Sequence, residues 1–181
     1  MRDSGDVALH LLQQGDLDGA QSMFNYALDL RIAAFGEDHP SIATELANFG
    51  NVLAERDDLA AARTHLERAL LLHERAFGPD DPEVAIDLGN LGLVVLDLGE
   101  VARARALFER ALEIQVDNFG AEHPHTALAL ANLASGVRQQ GCTEQAHGLL
   151  ERAERIFRRR VGEQHTATRA VRNALDRMRN P

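Results

Sequence analysis

A 42-residue period runs through the chain and constrains its fold more than any local pattern does. A phenylalanine followed by a glycine recurs at this spacing, and the glycine alone returns a fourth time: Phe35-Gly36, Phe77-Gly78, Phe119-Gly120 and Gly162. A proline follows four residues after each of the first three glycines, as Pro40, Pro82 and Pro124. Periods of 20 to 50 residues are typical of stacked supersecondary units. We therefore expect a repeat protein.

Each unit is predicted to contain two helices, here called helix A and helix B. In the second unit, helix A is expected from about Pro40 to Glu55 and helix B from about Leu59 to Ala76. The glycine after helix B suits a left-handed residue that ends a helix. The proline suits the first turn of the next helix. The recurring glycine and proline thus mark the end of one helix and the start of the next.

Helix A of the second unit divides into three stripes at helical spacing. Large apolar side chains, which can fill a core, form the first: Ile42, Leu46, Phe49 and Leu53. Small residues, which allow close helix approach, form the second: Ala43, Ala47, Gly50 and Ala54. Polar residues form the third: Thr44, Asn48, Asn51 and Glu55. The polar stripe is the candidate functional surface.

The order of large, small and turn residues distinguishes this array from HEAT and armadillo repeats, which have similar periods. The second unit has Phe49-Gly50, Leu53, Ala62, Leu66 and Ala69 at the spacing L-G-x2-large-x8-A-x3-F-x2-A, and the next two units repeat it. This pattern resembles the tetratricopeptide repeat. The 42-residue spacing, with motifs such as "FGEDHP", resembles its kinesin-light-chain branch.

The resemblance implies an all-α fold and a role as an interaction scaffold. We expect a right-handed α-solenoid of tandem helix–turn–helix repeats as a single array over residues 1–181. The four helix pairs fall at about 1–42, 43–84, 85–126 and 127–168, and a C-terminal capping helix at about 167–179. Its apolar stripe of Val171, Leu175 and Met178 is narrow, as expected for a helix with one docked face.

The polar stripes of the helices A are expected to line one concave groove that binds a peptide. The candidate groove residues are Thr44, Asn48, Asn51, Glu55, Ile86, Asn90, Leu93, Asp97, Leu128, Asn132, Ser135 and Gln139, with Asp6, Leu9 and Gln13 continuing from repeat one. Asn48, Asn90 and Asn132 share one column, and an amide can both donate to and accept from a peptide backbone. The resemblance also implies a groove contact for this column. The alternative is that each amide bonds a neighbouring helix.

Charge in the groove limits the partner. None of the twelve positions from repeats two to four is Lys or Arg, which disfavours a clamp for a terminal carboxylate. Glu55 and Asp97 are acidic. A protein or peptide partner of neutral to basic character, with an apolar anchor near Ile86, Leu93 and Leu128, fits these residues.

Neither catalysis nor cofactor or metal binding is predicted. The chain has no nucleophile motif and no phosphate-binding glycine loop. His39 and His123 occupy a turn column in which Asp81 replaces histidine, and a metal ligand would not tolerate that exchange. Cys142 is the single cysteine, so no disulfide or thiolate cluster can form within the chain. We expect no catalytic, cofactor or metal residues, and a non-enzymatic protein.

Composition bears on partners and location. Residues 1–150 carry 24 acidic residues against 10 arginines, which argues against nucleic-acid partners. No apolar stretch approaches the ~20 residues of a membrane span, so we expect no membrane partner and a cytoplasmic location. The first helix is short and polar at its start. A self-associating structural or regulatory module, acting through its outer surfaces, is therefore the alternative function.

Overall fold

The computed structural model describes residues 7, 10–11, 14–37 and 39–179 of the 181-residue chain. Their helices are α1 (Leu17–Phe35), α2 (Ser41–Glu55), α3 (Leu59–Phe77), α4 (Pro82–Asp97), α5 (Val101–Phe119), α6 (Pro124–Gln139), α7 (Thr143–Val161) and α8 (Thr166–Arg179). No strand occurs in the described part of the chain. The predicted all-helical fold of tandem helix pairs is thus confirmed. The groove residues Asp6, Leu9 and Gln13 of repeat one lie outside the described residues.

The helices divide into two compact units, each of which is larger than one repeat. Unit 1 is Met1–Leu98 and unit 2 is Gly99–Pro181. In unit 1, α2 packs against α1 and α3, and α3 packs against α4. A smaller contact joins α2 to α4, which are the helices A of consecutive repeats. In unit 2, α5 packs on α6, α6 on α7 and α7 on α8. Each helix therefore packs mainly against its neighbours in sequence, as a repeat architecture requires.

The core of unit 1 uses the two apolar stripes expected for helix A. Ile42 and Leu46 are fully buried, and Phe49 and Leu53 nearly so. Gly50 marks a close approach of α2 to α3, because a β-carbon there would lie 2.7 Å from Leu66 Cγ. The small stripe thus lets the two helices of a repeat pack closely.

The glycine that ends each helix B has positive φ, but not the left-handed helical conformation expected from the sequence. Gly36, Gly78, Gly120 and Gly162 have φ of 83, 95, 84 and 94° with ψ of 162, 160, 167 and 165°. This combination is essentially confined to glycine. The prediction of the residue type was correct and that of ψ was wrong, because the chain leaves the helix extended to reach the next one.

The short turn between helix A and helix B also needs a positive φ. Glycine supplies it in the column of Gly15, Gly99 and Gly141, with φ of 80 to 83°. In repeat two the same place is taken by Asp57, which adopts φ of 64°. A left-handed conformation costs a residue with a β-carbon about 1 kcal/mol relative to glycine. Unit 1 therefore holds one locally strained turn.

Helix A starts at a side chain that accepts a backbone hydrogen bond. Asp81 Oδ1 accepts from the Glu83 N–H at 2.9 Å. The rings of His39, His123 and His165 do the same through Nδ1, each at 3.2 Å from the N–H two residues on. Aspartate and neutral histidine can therefore replace each other in this column, which explains the exchange seen in the sequence.

Within the described residues, no helix has the length and apolar character that crossing a membrane requires.

Candidate functional site

In unit 1 the predicted polar stripe lies on the solvent side of α2 and α4. Thr44, Glu55 and Asp97 are exposed, Ile86 and Leu93 are each 40% exposed, and the remaining members, Asn48, Asn51 and Asn90, are half-buried. Because α2 and α4 touch, the stripes of repeats two and three belong to neighbouring helices. Unit 1 thus presents eight of the twelve predicted residues to solvent.

The three column asparagines do not bond neighbouring helices. Among residues 14–37 and 39–179, no hydrogen bond forms to the side-chain amide of Asn48, Asn90 or Asn132. Each is half-buried, so its amide is held beside apolar surface without a partner. A partly buried amide gains free energy from a hydrogen bond that an incoming group supplies. Within the described residues, the alternative of an amide bonded to a neighbouring helix finds no support.

In unit 2 the stripe on α6 borders a cavity. Leu128 is 54% exposed, Asn132 and Ser135 are half-buried and Gln139 is exposed. The first three line an apolar cavity of about 220 Å³ between α6, α7 and α8. Leu150 and Phe157 of α7 form its buried floor. Unit 2 therefore combines a predicted apolar anchor residue with a cavity beside it.

Three residues of α8 complete this wall and were missed in the sequence analysis. Ala170 and Ala174 line the larger cavity, and Arg177 lines a smaller one of about 90 Å³. They stand 42 residues after Leu128, Asn132 and Ser135, so the repeat columns continue into the capping helix. Extending the period by one more unit would have found them. Arg138, one helical turn after Ser135, also lines the smaller cavity.

The exposed ends of the helices A carry opposite charge in the two units. Unit 1 has Glu55 and Asp97 at the ends of α2 and α4, both exposed. Unit 2 has Arg138 and Arg177 at the ends of α6 and α8, also exposed. Within the described residues, none of these four side chains forms an ion pair. Each is therefore available to a charged ligand group.

A buried ion pair between α3 and α4 is a second feature that the sequence did not reveal. His73 Nδ1 lies 2.7 Å from Asp87 Oδ2, and the two residues are 4% and 2% exposed. Burial raises the pKa of Asp87, although the His73 hydrogen bond opposes it. Burial works to lower the pKa of His73, but the hydrogen bond and charge of Asp87 outweigh it and raise that pKa. The pair is therefore part of the packed contact between α3 and α4.

Two histidines of unit 2 lie against one aromatic ring. His123 lies 4.6 Å from Phe119 between ring centroids, and His125 lies 5.1 Å from it. Burial lowers the pKa of His123, as do the nearby His125 and Arg160, and this favours the neutral ring that can accept the hydrogen bond of a helix cap. In the described part of the chain, no three histidine, cysteine or acidic side chains converge as a metal site would require.

The helix pairs and their residue columns define the class of protein. Family models of the tetratricopeptide repeat match residues 6–41, 42–115 and 88–159. The chain therefore belongs to the tetratricopeptide-repeat family, and the resemblance seen in the sequence is confirmed. Proteins with this fold are interaction scaffolds and are typically not catalytic. Among curated proteins, none matches the chain significantly.

Solved structures support the same fold at low sequence identity. A protein of Podosopora anserina, described as a kinesin light chain with nearly identical TPR-like repeats, has a TM-score of 0.78 and 19% identity, covering 98% of this chain and 84% of its own. BtubC (BKLC) from P. vanneervenii has a TM-score of 0.73 and 17% identity, with 98% and 78% covered. A Rap protein complexed with Competence and Sporulation Factor has a TM-score of 0.81 and 14% identity, covering 97% of this chain and 46% of its own.

Proposed function

We propose that the chain is a non-enzymatic scaffold that binds a peptide segment along the polar stripes of its helices A. The observation that carries this proposal is the state of the asparagine column. Three half-buried amides at one repeat position have no hydrogen-bond partner among the described residues. An extended peptide offers N–H and C=O groups that such amides can bind without reading the peptide sequence.

The charges and apolar residues of the stripe indicate the chemistry of the peptide. Glu55 and Asp97 favour a neutral or basic segment on unit 1. Ile86, Leu93 and Leu128 are each at least 40% exposed and can contact an apolar side chain. The solved Rap protein was crystallised with Competence and Sporulation Factor, so a scaffold of this fold can hold a separate factor. We place the partner of this chain in the class of proteins and peptides.

A panel of immobilised random 12-residue peptides, probed with the labelled chain, tests this proposal. Peptides that bind are then titrated against Asn90→Ala and Asn132→Ala. We expect each substitution to weaken binding about 3- to 10-fold, because each removes hydrogen bonds to the peptide backbone.

Asn25→Ala is the matched control, since Asn25 is an exposed asparagine on α1 away from the stripe. It is expected to leave affinity unchanged. Unfolding midpoints of all three variants should match that of the parent chain. Binding that survives both stripe substitutions unchanged contradicts the asparagine contact.

One observation favours self-association as a second function. In repeats two and four, Arg68 and Arg152 donate to backbone oxygens of the preceding turn, Glu37 O and Ala121 O. The same column in repeat one holds Tyr26, which is 56% exposed, and Leu30 one turn later is 50% exposed. We infer that a second copy of the chain can cover this α1 surface. Light scattering tests it: Tyr26→Glu should convert a dimer to a monomer, and a monomeric parent chain contradicts the inference.

A further inference from the structure

A further cavity of unit 2 lies between α7 and α8 and is lined mainly by charged side chains. Its volume is about 440 Å³, and it is called the arginine cavity below. Apart from the buried Leu175, its lining consists of four arginines and three acidic residues: Glu151, Glu154, Arg155, Arg158, Arg172, Asp176 and Arg179. It shares no lining residue with the two cavities described above, so it is a separate surface of the protein.

We propose that the arginine cavity binds a phosphate group, either free or carried by a phosphorylated serine side chain. None of the twelve stripe residues lines this cavity, so the proposal goes beyond peptide binding by the helices A and does not depend on it. Three observations support it. The face cannot be covered by a further helix at low cost, two of the arginines are held in place, and the cavity has an excess of positive charge.

The α8 wall of the cavity occupies repeat columns that are apolar and buried in the preceding helix A. In α6 these columns hold Leu130, Ala134 and Val137, all of them buried, and α7 packs on that helix. At the same columns, 42 residues later, α8 has Arg172, Asp176 and Arg179. Covering three charged side chains with a helix would cost several kcal/mol per ion. The face therefore suits a hydrated, charged ligand.

One carboxylate, mostly buried, holds two of the arginines. The Glu154 side chain is 13% exposed, and its Oε1 accepts a hydrogen bond from Arg172 Nη2 at 3.0 Å. Its Oε2 lies 3.6 Å from Arg158 Nη1. A guanidinium has five N–H donors, so each arginine keeps donors that Glu154 does not use. The carboxylate thus positions two positive charges and neutralises only one of them.

The other four charged side chains of the lining leave this excess in place. Arg179 lies 3.8 Å from Glu151. Arg155 and Asp176 are exposed, and within the described residues neither forms an ion pair. The seven side chains together carry a net charge of +1, from four arginines and three acidic residues. A phosphate monoester brings a charge of about −1.5 to −2 and three acceptor oxygens, which arginines bind through paired, charge-assisted hydrogen bonds. It matches the cavity better than a carboxylate, which brings less charge and fewer acceptors.

An NMR titration of the full chain tests the proposal with four probes. Three are glycine hexapeptides, blocked at both ends, with a central phosphoserine, serine or glutamate, and the fourth is inorganic phosphate. We expect the phosphoserine peptide to shift the Nε–H signals of Arg158 and Arg172 and to bind about tenfold or more tightly than the other two peptides. Inorganic phosphate should shift the same signals. A phosphopeptide that binds more tightly than inorganic phosphate indicates a phosphorylated protein as the source, and equal affinities indicate a free phosphate.

Variants of opposite expected effect sharpen the test. Arg155→Gln with Arg158→Gln should weaken binding of the phosphoserine peptide about tenfold or more and keeps the hydrogen bond between Glu154 and Arg172. Asp176→Asn should tighten binding about threefold, because it removes a negative charge from the cavity wall. Arg169→Gln is the matched control: Arg169 is an exposed arginine of α8 outside the cavity, so affinity should stay unchanged. Circular dichroism checks that every variant is folded.

Three results would overturn the phosphate site. The first is a glutamate or serine peptide that binds as tightly as the phosphoserine peptide. The second is an Asp176→Asn variant that binds the phosphoserine peptide more weakly than the parent chain. The third is an Arg169→Gln variant that loses as much affinity as the double variant, which would indicate attraction to the charge of unit 2 as a whole. Asn90→Ala should leave phosphate binding unchanged, so failure here is distinguishable from failure of the peptide-binding proposal.

Discussion

The two units join one repeat to the next with opposite chemistry at the same positions. The paired columns on helix B and the following helix A hold Arg31 and Glu45, His73 and Asp87, Gln115 and Ala129, and Phe157 and Val171. In unit 1 the first two pairs are ion pairs at 2.9 and 2.7 Å. In unit 2 all four side chains are buried, and none carries a charge. Polarity at this contact thus falls steadily along the chain.

The difference between charged and uncharged pairs shows that the 42-residue repeat specifies the shape of this contact but not its polarity. Removing two charges from water costs several kcal/mol per ion, and a good pair roughly offsets that cost. An apolar pair of similar volume meets no such cost. We infer that the ion pairs of unit 1 and the uncharged pairs of unit 2 stabilise the protein to a similar extent. Loss of one partner should nevertheless destabilise the protein far more in unit 1.

The largest effect is expected from breaking the buried pair in unit 1. Asp87→Ala leaves the His73 ring buried with no acceptor, which should destabilise the protein by about 3 kcal/mol. This loss of stability is measured as a fall in the urea concentration at the unfolding midpoint. The matching change in unit 2, Val171→Ala, removes two methyl groups from a buried position and should cost about half as much. Equal losses would contradict the contrast between the units.

Transplanting the apolar pair sharpens this comparison. The double variant His73→Phe with Asp87→Val copies Phe157 and Val171 into unit 1. It should restore the free energy of unfolding to within about 1 kcal/mol of that of the parent chain, or raise it, because no charge remains to desolvate. A double variant as unstable as Asp87→Ala would show that unit 1 needs the ion pair itself.

A second comparison concerns helix approach. Gly50→Ala places a β-carbon 2.7 Å from Leu66 Cγ, which forces α2 and α3 apart and should cost about 1 to 2 kcal/mol after the gain in helix propensity. Gly136→Ala in unit 2 meets Phe108 Cδ2 at 3.2 Å, so the gain and the crowding should nearly cancel. Thermal unfolding of the two variants distinguishes them. If Gly136→Ala is the more damaging, the packing described for α2 and α3 is wrong.

The turn between helix A and helix B allows a reciprocal exchange. Asp57→Gly should stabilise unit 1 by about 0.5 to 1 kcal/mol, because glycine adopts positive φ without strain. Gly141→Asp should destabilise unit 2 by a similar amount for the same reason. Chemical denaturation of each variant against the parent gives both values. Two changes of the same sign would contradict the backbone argument.

The smallest effect is expected from pH. The pKa of His73 is raised in the fold, so its contribution to stability is fully present below its unfolded pKa of about 6.5 and is lost as pH rises through the folded pKa. The pKa of Asp87 is also raised, so its contribution to stability is likewise present below its unfolded pKa of about 3.8 and is lost as pH rises through the folded pKa. The advantage of the parent over His73→Gln with Asp87→Ala, which copies Gln115 and Ala129, should therefore shrink from pH 6 to pH 8. If the stability advantage of the parent chain grows with pH instead, the predicted sign of the pH dependence is wrong.

Much of the fold followed from the sequence because the period repeats every structural requirement. The helix from Ser41 to Glu55 begins and ends within one residue of its predicted bounds. Helix B extends to Phe77, one residue beyond its predicted end. The conformation after it was wrong in ψ, because that angle depends on where the next helix must begin. A local propensity cannot supply that information.

The candidate site was only partly predictable. The twelve stripe residues lie where the periodicity places them, and none is buried. Asp87 was missed as a partner of His73 because the two are 14 residues apart on different helices. Arg138 and Arg177 were missed because they are 39 residues apart and line one cavity only because α6 and α8 both pack on α7. Whether the stripes bind a peptide stays a prediction.

The sequence by itself determined the family, the helix pairs and the faces of each helix, since all three are periodic properties of one chain. The tertiary structure alone decided which side chains of different helices meet. It gave the buried His73–Asp87 pair to unit 1, and to unit 2 a cavity flanked by Arg138 and Arg177. The physical reason is that burial and charge pairing depend on distances in space, which a repeat period constrains but does not fix.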